Sequence, residues 1–136
     1  KSMIDIHKRF NSSVMASMKV NKKNVTRWGI FNIKKKINKS NFIINNVVEK
    51  PSIKKAPSNN AVIGRYILPI TIFNKLKKLR PSSGGEIHIT DAIQLLIEEN
   101  ENFIGHNFSG KYLDCGTMKG YINSSMEISK IWNFAW

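Results

Sequence analysis

Three observations predict a mixed α/β fold for this chain. Apolar, β-branched segments typical of strands alternate with segments whose apolar residues recur at helical spacing. Hydrophobic residues make up 41% of the 136 residues and charged residues 23%, a balance that supports a packed core and argues against wholesale disorder. The sequence contains no internal repeat and no run of 18 apolar residues, which argues against a repeat protein and a membrane-spanning helix.

The first half of the chain is predicted to form one helix followed by four strands. The helix is predicted over residues 3–10, where the apolar side chains fall on one stripe. The strands are predicted where β-branched and apolar residues cluster, at 13–20, 28–33, 41–48 and 61–68. A polar turn is predicted over 34–41 and a polar loop over 52–60. Pro51 ends the third strand because it has no N–H to donate to a ladder.

The second half is predicted to contain three helices. Pro69 suits the first turn of a helix that runs to about Leu79. Thr90 is a good N-cap for a helix over 91–98, and Thr117 is predicted to start the last helix. The other predicted segments are a loop and two strands, at 80–89, 103–108 and 112–114.

The charge is concentrated in the first part of the sequence. The net charge is +13, and residues 1–56 hold 14 basic and 2 acidic residues. Such asymmetry suggests a basic arm for nucleic acid or a membrane surface. However, 18 of the 22 basic residues are lysine, and lysine, asparagine and isoleucine all have A/T-rich codons. Lys34–Lys36 suits a solvated turn, and no aromatic residues alternate with the lysines. Nucleic-acid binding is therefore not the favoured interpretation.

The cysteine and histidine content excludes several kinds of site. A single cysteine, Cys115, excludes a disulfide within the chain and a multi-cysteine zinc site, and we expect it to be a buried structural thiol. His7, His88 and His106 lack metal-ligand spacing and are interpreted as structural or exposed. Ser82–Gly85 lacks the lysine of a phosphate-gripping loop. No secretory leader opens the sequence, so we expect a cytoplasmic location without a membrane partner.

Two positions are candidates for chemistry. Glu49 and Lys50 end an apolar strand, where a carboxylate can accept from two sugar hydroxyls and an ammonium can neutralise a phosphate. The alternative is a solvated ion pair that ends the strand. Asp114 lies between an apolar pair and a glycine turn, where a carboxylate can hold Mg²⁺. The alternative is an aspartate that makes only turn hydrogen bonds.

Several sequence blocks occur in a fixed order: R-W-G-I at 27–30, V-V-E-K-P at 47–51, A-P-S-N-N-A-V-I-G-R-Y-I-L at 56–68, G-G-E-I-H-I-T-D-A-I at 84–93 and K-Y-L-D-C-G-T-M-K-G-Y at 111–121. In this order and spacing they resemble the bacterial UTP–glucose-1-phosphate uridylyltransferases, also called UDP-glucose pyrophosphorylases. The match is close from Val47 to Ser129 and looser from Met3 to Phe31. Each block alone is moderately specific, and together they are highly specific.

The resemblance implies a Rossmann-like, mixed-sheet nucleotidyltransferase fold that makes UDP-glucose and pyrophosphate from UTP and glucose 1-phosphate. It implies that Glu49 holds glucose hydroxyls and that Lys50 contacts the sugar's phosphate as the catalytic lysine. It implies that Gly29 brings backbone close to the glucose and that Val62 lines the same pocket. It also implies that Asp114 helps bind Mg²⁺, the expected cofactor. Tyr66 is left as either structural or facing the sugar.

The departures from the family pattern lead to expectations about the whole chain. The family's glycine-rich G-x-G-T-R loop, the lysine soon after it and an internal metal-binding aspartate do not occur here. The sequence also begins at Lys1, and its last residues, 131–136, do not follow the family's polar tail. We therefore expect a single partial domain from a longer protein, with a sugar-phosphate-binding half over about 1–80 and C-terminal helical elements over about 81–136.

This partial domain has consequences for activity and assembly. The polypeptide alone is expected to be inactive. An incomplete sheet is expected to leave an open strand edge and exposed apolar surface, and to favour a homo-oligomer. The alternative function is a non-catalytic sugar-phosphate-binding or assembly module of the same fold.

Overall fold

The computed structural model describes residues 1–81 and 85–132, and its strands form a closed barrel flanked by helices. The described residues contain four α-helices and one 3₁₀ helix: α1 (Ser2–Phe10), the 3₁₀ helix (Lys22–Arg27), α2 (Ile72–Leu76), α3 (Ile89–Glu98) and α4 (Met118–Trp132). The five strands are β1 (Ser13–Lys19), β2 (Gly29–Lys36), β3 (Asn41–Glu49), β4 (Asn60–Ile67) and β5 (Phe103–Asn107). Across the two described ranges, no helix combines the length and hydropathy that a bilayer crossing requires.

The barrel contains one parallel pair of strands and several antiparallel ones. The strand order is β1–β4–β2–β3–β5, and β5 returns to pair with β1. That closing pair is parallel and runs from Ser13 opposite Phe103 to Ser17 opposite Asn107. The four other pairs are antiparallel. The predicted mixed α/β fold is confirmed, but the predicted open edge is wrong, because each described strand has two neighbours.

The main hydrophobic core joins the strands to α2 and α3. Phe31 and Phe42, on adjacent strands, meet edge to face with their ring centroids 5.4 Å apart. Ile93 and Leu96 of α3 pack against the same cluster and are almost fully buried. Burial of each such side chain stabilises the fold by roughly 1.5–3 kcal/mol before the conformational entropy cost. The core therefore fixes the strand ends where α3 approaches the sheet.

Strand β2 is longer than the sequence predicts. Lys34–Lys36, predicted as part of a polar turn over 34–41, continue the strand, and Lys35 and Lys36 pair with Ile43 and Phe42 of β3. The turn itself is short, and the Asn38 side chain accepts hydrogen bonds from the backbone of Ser40 and Asn41, each at 2.9 Å. Lysine side chains can be exposed on a strand whose backbone is paired. The polarity of Lys34–Lys36 therefore does not show where β2 ends.

The helices also differ from the prediction at their ends. The α-helix predicted to run to Leu79 spans only Ile72–Leu76, and single turns continue beyond it. The predicted N-cap role of Thr90 is wrong, because α3 begins two residues earlier than predicted, at Ile89, with His88 at the cap position. The N-terminus of α3 therefore carries no side-chain cap hydrogen bond.

The segment before α4 is irregular. The predicted strand over 112–114 is wrong, because these residues join no ladder. Cys115 in this segment is exposed rather than buried, so the predicted structural thiol is also wrong. Thr117 accepts a hydrogen bond from the Gly120 N–H at 3.0 Å and so caps the last helix, as its side chain suggests. The predictions for residues 82–84 and 133–136 lie outside the described residues.

His106 gives the fold a predictable dependence on pH. Its Nδ1 lies 2.7 Å from Oδ1 of Asn41, and burial lowers the pKa of the imidazole below its usual value. The unfolded chain therefore takes up this proton first as the pH falls. We expect the free energy of unfolding to decrease from pH 7.5 to pH 5.5, measured by urea denaturation. His106→Gln, which does not titrate, should flatten this dependence, and an unchanged slope would contradict the assignment.

Candidate functional site

Glu49 and Gly29 face each other across the β2–β3 pair. Gly29 is the first residue of β2 and Glu49 the last of β3, and their Cα atoms are register partners. A Cβ atom built on Gly29 would lie 2.9 Å from Oε2 of Glu49 and 3.2 Å from Cγ1 of Val47. The Glu49 carboxylate therefore lies directly over the glycine, and any larger residue at position 29 would displace it. The predicted association of these two residues is present in the structure.

The carboxylate lies in a cleft of about 250 Å³ between the barrel and the start of α3. Its lining includes the two facing residues and four others that bear on recognition: Arg27, Val62, Tyr66 and Thr90. The wall includes Val62, whose Cγ2 would lie 3.5 Å from a Cβ on Gly29. The cleft thus combines one carboxylate, two hydroxyl groups and an apolar wall.

Tyr66 supplies a hydroxyl group that stays protonated. Burial of the ring, and then the negative charge of Glu49, raise the pKa of the Tyr66 phenol above its ordinary value. The neutral phenol can donate one hydrogen bond and accept others. Tyr66 lines the cleft and also packs against the main core, so a contact between its hydroxyl group and the sugar stays a prediction.

Thr90 supplies the second hydroxyl group. It is 8% exposed, and its Oγ1 atom is buried without a hydrogen-bond partner in the structure. A buried hydroxyl that lacks a partner costs free energy, which a ligand group in the cleft would recover. The same residue was predicted only as a helix cap. α3 starts at Ile89, two residues before the predicted start at Asp91, so Thr90 lies inside the helix.

Lys50 lies next to Glu49 but does not line the cleft. Its backbone has a positive φ of 42°, and its N–H donates to the carbonyl of Trp28 at 3.0 Å. The Lys50 side chain is exposed to solvent. The chain therefore turns immediately after Glu49, and Lys50 is located at the edge of the site rather than inside it. A role for its ammonium group stays a prediction.

The segment that contains Tyr112 and Asp114 adjoins the cleft through two contacts. Its Oδ2 lies 3.6 Å from Nη2 of Arg27, and the Tyr112 ring packs edge-on against Trp28 at 5.3 Å. Arg27 and Trp28 immediately precede Gly29 and line the Glu49 cleft. Asp114 itself lines a neighbouring cavity of about 460 Å³. The irregular segment before α4 therefore brings Asp114 close to the Glu49 cleft.

The surroundings of Asp114 offer one carboxylate to a cation. Its Oδ1 accepts a hydrogen bond from the Gly116 N–H at 3.0 Å, which is the turn contact considered as the alternative. Within residues 1–81 and 85–132, no group of three or more His, Cys, Asp or Glu side chains comes together. Mg²⁺ commonly uses one or two carboxylates together with phosphate oxygens and water. Asp114 therefore fits as a single ligand and does not form a complete metal site.

Besides Thr90, two contributors to the site were not identified as such from the sequence. Arg27 lies within the R-W-G-I block, and its position just before Gly29 was the available signal. His88 was interpreted as structural or exposed, yet it lines the cleft. It immediately precedes α3, and no periodic pattern indicates which way such a residue faces.

Nearly the whole chain is similar in sequence to known proteins. A family model described as nucleotidyl transferase matches residues 1–131. A UTP–glucose-1-phosphate uridylyltransferase from Pseudomonas aeruginosa is 36% identical over 125 residues, which cover 92% of this chain and 44% of that protein. The chain thus spans less than half the length of this curated relative.

Solved structures give the same result at the level of the fold. The structure of an apo UDP-glucose pyrophosphorylase superposes with a TM-score of 0.89 at 35% identity, covering 96% of this chain and 47% of that one. A UDP-glucose pyrophosphorylase complexed with UDP-glucose superposes with a TM-score of 0.87, also at 35% identity, covering 96% of this chain and 49% of that one. The arrangement of strands and helices described above is therefore also found in these enzymes.

Proposed function

Because this chain belongs to the nucleotidyl transferase family, we propose that the Glu49 cleft binds glucose 1-phosphate in a UTP–glucose-1-phosphate uridylyltransferase. In this reaction a phosphate oxygen of glucose 1-phosphate attacks the α-phosphorus of UTP. A new P–O bond forms, the bond to the β-phosphate oxygen breaks, and pyrophosphate leaves. The observation that carries the proposal is the Glu49 carboxylate over Gly29, with the Tyr66 and Thr90 hydroxyls in the same cleft.

The polar groups of the cleft suit the glucose ring. A carboxylate accepts hydrogen bonds from two neighbouring hydroxyls, and such charge-assisted bonds are stronger than neutral ones. The unpartnered Thr90 Oγ1 and the protonated Tyr66 phenol supply further partners for sugar hydroxyls. Val62 offers an apolar surface, and Gly29 leaves room for the Glu49 carboxylate beside the backbone. Specificity for a hexose would come from satisfying these groups together.

The phosphate is proposed to lie toward the basic edge of the cleft. Lys50 follows Glu49 at this edge, and the Arg27 guanidinium lines the cleft itself. Transfer of a nucleotidyl group depends mainly on positioning and on neutralisation of the phosphate charges. The Lys50 ammonium is therefore assigned the catalytic role of neutralising the attacking phosphate. Its exposed side chain would need to swing over the bound sugar phosphate.

Asp114 is the proposed Mg²⁺ ligand of this chain. A bound Mg²⁺ would neutralise charge on the phosphates of the nucleotide. The carboxylate supplies one ligand, and Arg27 at 3.6 Å holds it toward the cleft. The remaining ligands would come from phosphate oxygens, water and other parts of the protein.

This assignment predicts binding without turnover by the 136-residue chain. No G-x-G-T-R loop occurs in the sequence to hold the triphosphate. Incubation with UTP, glucose 1-phosphate and Mg²⁺ should therefore release no pyrophosphate above background in a coupled assay. Calorimetry should detect glucose 1-phosphate binding to the same sample. Robust pyrophosphate release would contradict the prediction, and absence of glucose 1-phosphate binding would contradict the proposed function.

A non-catalytic sugar-phosphate-binding module is the second candidate, and the same cleft supports it. An assay on a longer protein that also contains a nucleotide-binding segment separates the two candidates. Such a protein should release pyrophosphate if the chain is part of a uridylyltransferase, and should release none if the chain is a binding module. The homo-oligomer, the cytoplasmic location and the division near residue 80 stay predictions. The predicted exposed apolar surface is present on α4, where exposed side chains include Met118, Tyr121, Ile122, Met126, Ile131 and Trp132.

A further inference from the structure

We propose that the chain has a second ligand site, for a small phosphorylated polyhydroxy compound, at the end of the barrel that holds the β2–β3 turn. The site is a cleft of about 450 Å³, called here the Lys/Asn cleft. The residues that carry the argument are Lys19, Lys36, Lys39, Asn60 and Asn107, all of which line it. The proposal goes beyond the proposed transferase function and does not depend on it.

The fold brings these residues together from four strands. Lys19 ends β1 and is the register partner of Asn60, the first residue of β4. Asn107 ends β5, and its backbone N–H donates to the carbonyl of Ser40 at 2.7 Å. That hydrogen bond holds the β2–β3 turn, which contains Lys39, beside the end of β5. The cleft is therefore formed by paired strands and by the β2–β3 turn, which a hydrogen bond to β5 holds in place.

The positive charge of the cleft is not neutralised within the structure. Three lysines line it, and none of its lining residues is acidic. No carboxylate in the described part of the chain lies within 4 Å of the Lys19, Lys36 or Lys39 ammonium groups. All three lysines are exposed, and three ammonium groups that line one cleft without counter-ions favour a phosphate-bearing ligand.

Two buried oxygen atoms indicate that the ligand also carries hydroxyl groups. The Oδ1 atoms of Asn60 and Asn107 are buried and have no hydrogen-bond partner. Asn60 lines the cleft and is only 7% exposed. Buried carboxamides normally satisfy both their donors and their acceptors. A hydroxyl group of the ligand would donate to each oxygen, while the lysines hold the phosphate.

The lysine side of the Lys/Asn cleft lies away from the Glu49 cleft, whereas Asn60 lies two residues before Val62 on β4. Gly29 begins β2 at one end of the β2–β3 hairpin, and Lys36 ends β2 at the other. At about 3.3 Å per residue, the two positions are roughly 20 Å apart along the strand. The volume of the Lys/Asn cleft falls in the range of small-molecule sites, which favours a small ligand over a nucleic acid.

Titration of the ¹⁵N-labelled chain with ribose 5-phosphate, inorganic phosphate and ribose tests the proposal. We expect saturable shifts for ribose 5-phosphate at the amides of Lys19, Ser40, Asn60 and Asn107. Inorganic phosphate should bind at least tenfold more weakly, and ribose should not bind. Shifts confined to Gly29 and Thr90 would overturn the proposal, because they would place binding at the Glu49 cleft.

Matched variants separate this site from the general positive charge of the chain. The double variant K36Q/K39Q should bind ribose 5-phosphate at least tenfold more weakly, whereas K54Q/K55Q, with the same charge change on exposed loop lysines, should bind within twofold of the parent. Equal losses in the two variants would overturn the site. Tighter binding of duplex DNA with the same dependence on Lys36 and Lys39 would replace it with a nucleic-acid surface.

A third variant tests the hydroxyl contact. N107A should weaken ribose 5-phosphate binding several-fold and leave inorganic phosphate binding unchanged, because the Asn107 carboxamide is assigned to a hydroxyl group. Equal effects on both ligands would refute this assignment. Thermal unfolding of each variant checks that the fold persists, and the shift map of the parent chain is informative even if a variant unfolds.

Discussion

Glu49→Ala is expected to weaken glucose 1-phosphate binding at least about tenfold. The carboxylate is proposed to accept two hydroxyl hydrogen bonds, and hydrogen bonds to charged groups contribute about 1.5–3 kcal/mol each. Its loss would also leave the donated hydroxyls without a partner in the cleft. Isothermal titration calorimetry of the parent and variant chains measures the change. The effect on the fold should be small, because Glu49 is exposed at the end of β3.

Two further variants make this result specific. Glu49→Gln keeps the shape of the side chain and should lose most of the affinity, since an amide oxygen is a weaker acceptor than a carboxylate oxygen. Glu101→Ala removes an exposed carboxylate between α3 and β5 and should leave binding unchanged. If Glu49→Ala bound glucose 1-phosphate like the parent chain, the sugar site would have to lie elsewhere.

Gly105→Ala is expected to cause the largest loss of stability, about 3 kcal/mol. Gly105 pairs with Phe42 across β3 and β5, and a Cβ atom there would overlap the Phe42 ring. That ring is 2% exposed and packs edge-to-face on Phe31, so it cannot move without opening the core. Urea denaturation should show a lower midpoint with a similar slope.

A second substitution tests whether the overlap is the cause. Phe42→Leu replaces the ring that the added methyl group at position 105 would meet, and it is destabilising on its own. The double variant should be more stable than the sum of the two single losses predicts, because residues in contact do not act additively. Strict additivity would mean that the loss in Gly105→Ala arises from the backbone rather than from the ring.

The sequence predicted most strands because their signal is local. The run from Val14 to Ala16 is fully apolar and is buried on both faces, as in a strand covered on two sides. Lys34–Lys36 carried no such signal, since exposed side chains do not distinguish an extended strand from a turn. The predicted strand at 112–114 had the right composition, but its residues pair with no other strand. Local composition therefore identified strands and located their ends poorly.

The candidate site was predictable only where its residues belong to recognisable blocks. Glu49 and Gly29 were named from the sequence, and the register of β2 and β3 brings them together. Thr90 was not identified as a site residue, because a threonine before an apolar helical run is also typical of an N-cap. Its orientation depends on how α3 packs against the sheet. Contacts of this kind join residues far apart in sequence, and no local pattern encodes them.

The ring of strands has a consequence for the order of events during synthesis. The first strand, beginning at Ser13, takes both of its neighbours from downstream, with register partners at Asn60–Ile67 and at Phe103–Asn107. As the polypeptide emerges from the ribosome, this strand stays without its last partner until about ninety further residues have been made. Contacts of such sequence separation slow folding and prolong the exposure of aggregation-prone segments. The nascent polypeptide is therefore expected to depend on chaperones until Asn107 has left the exit tunnel.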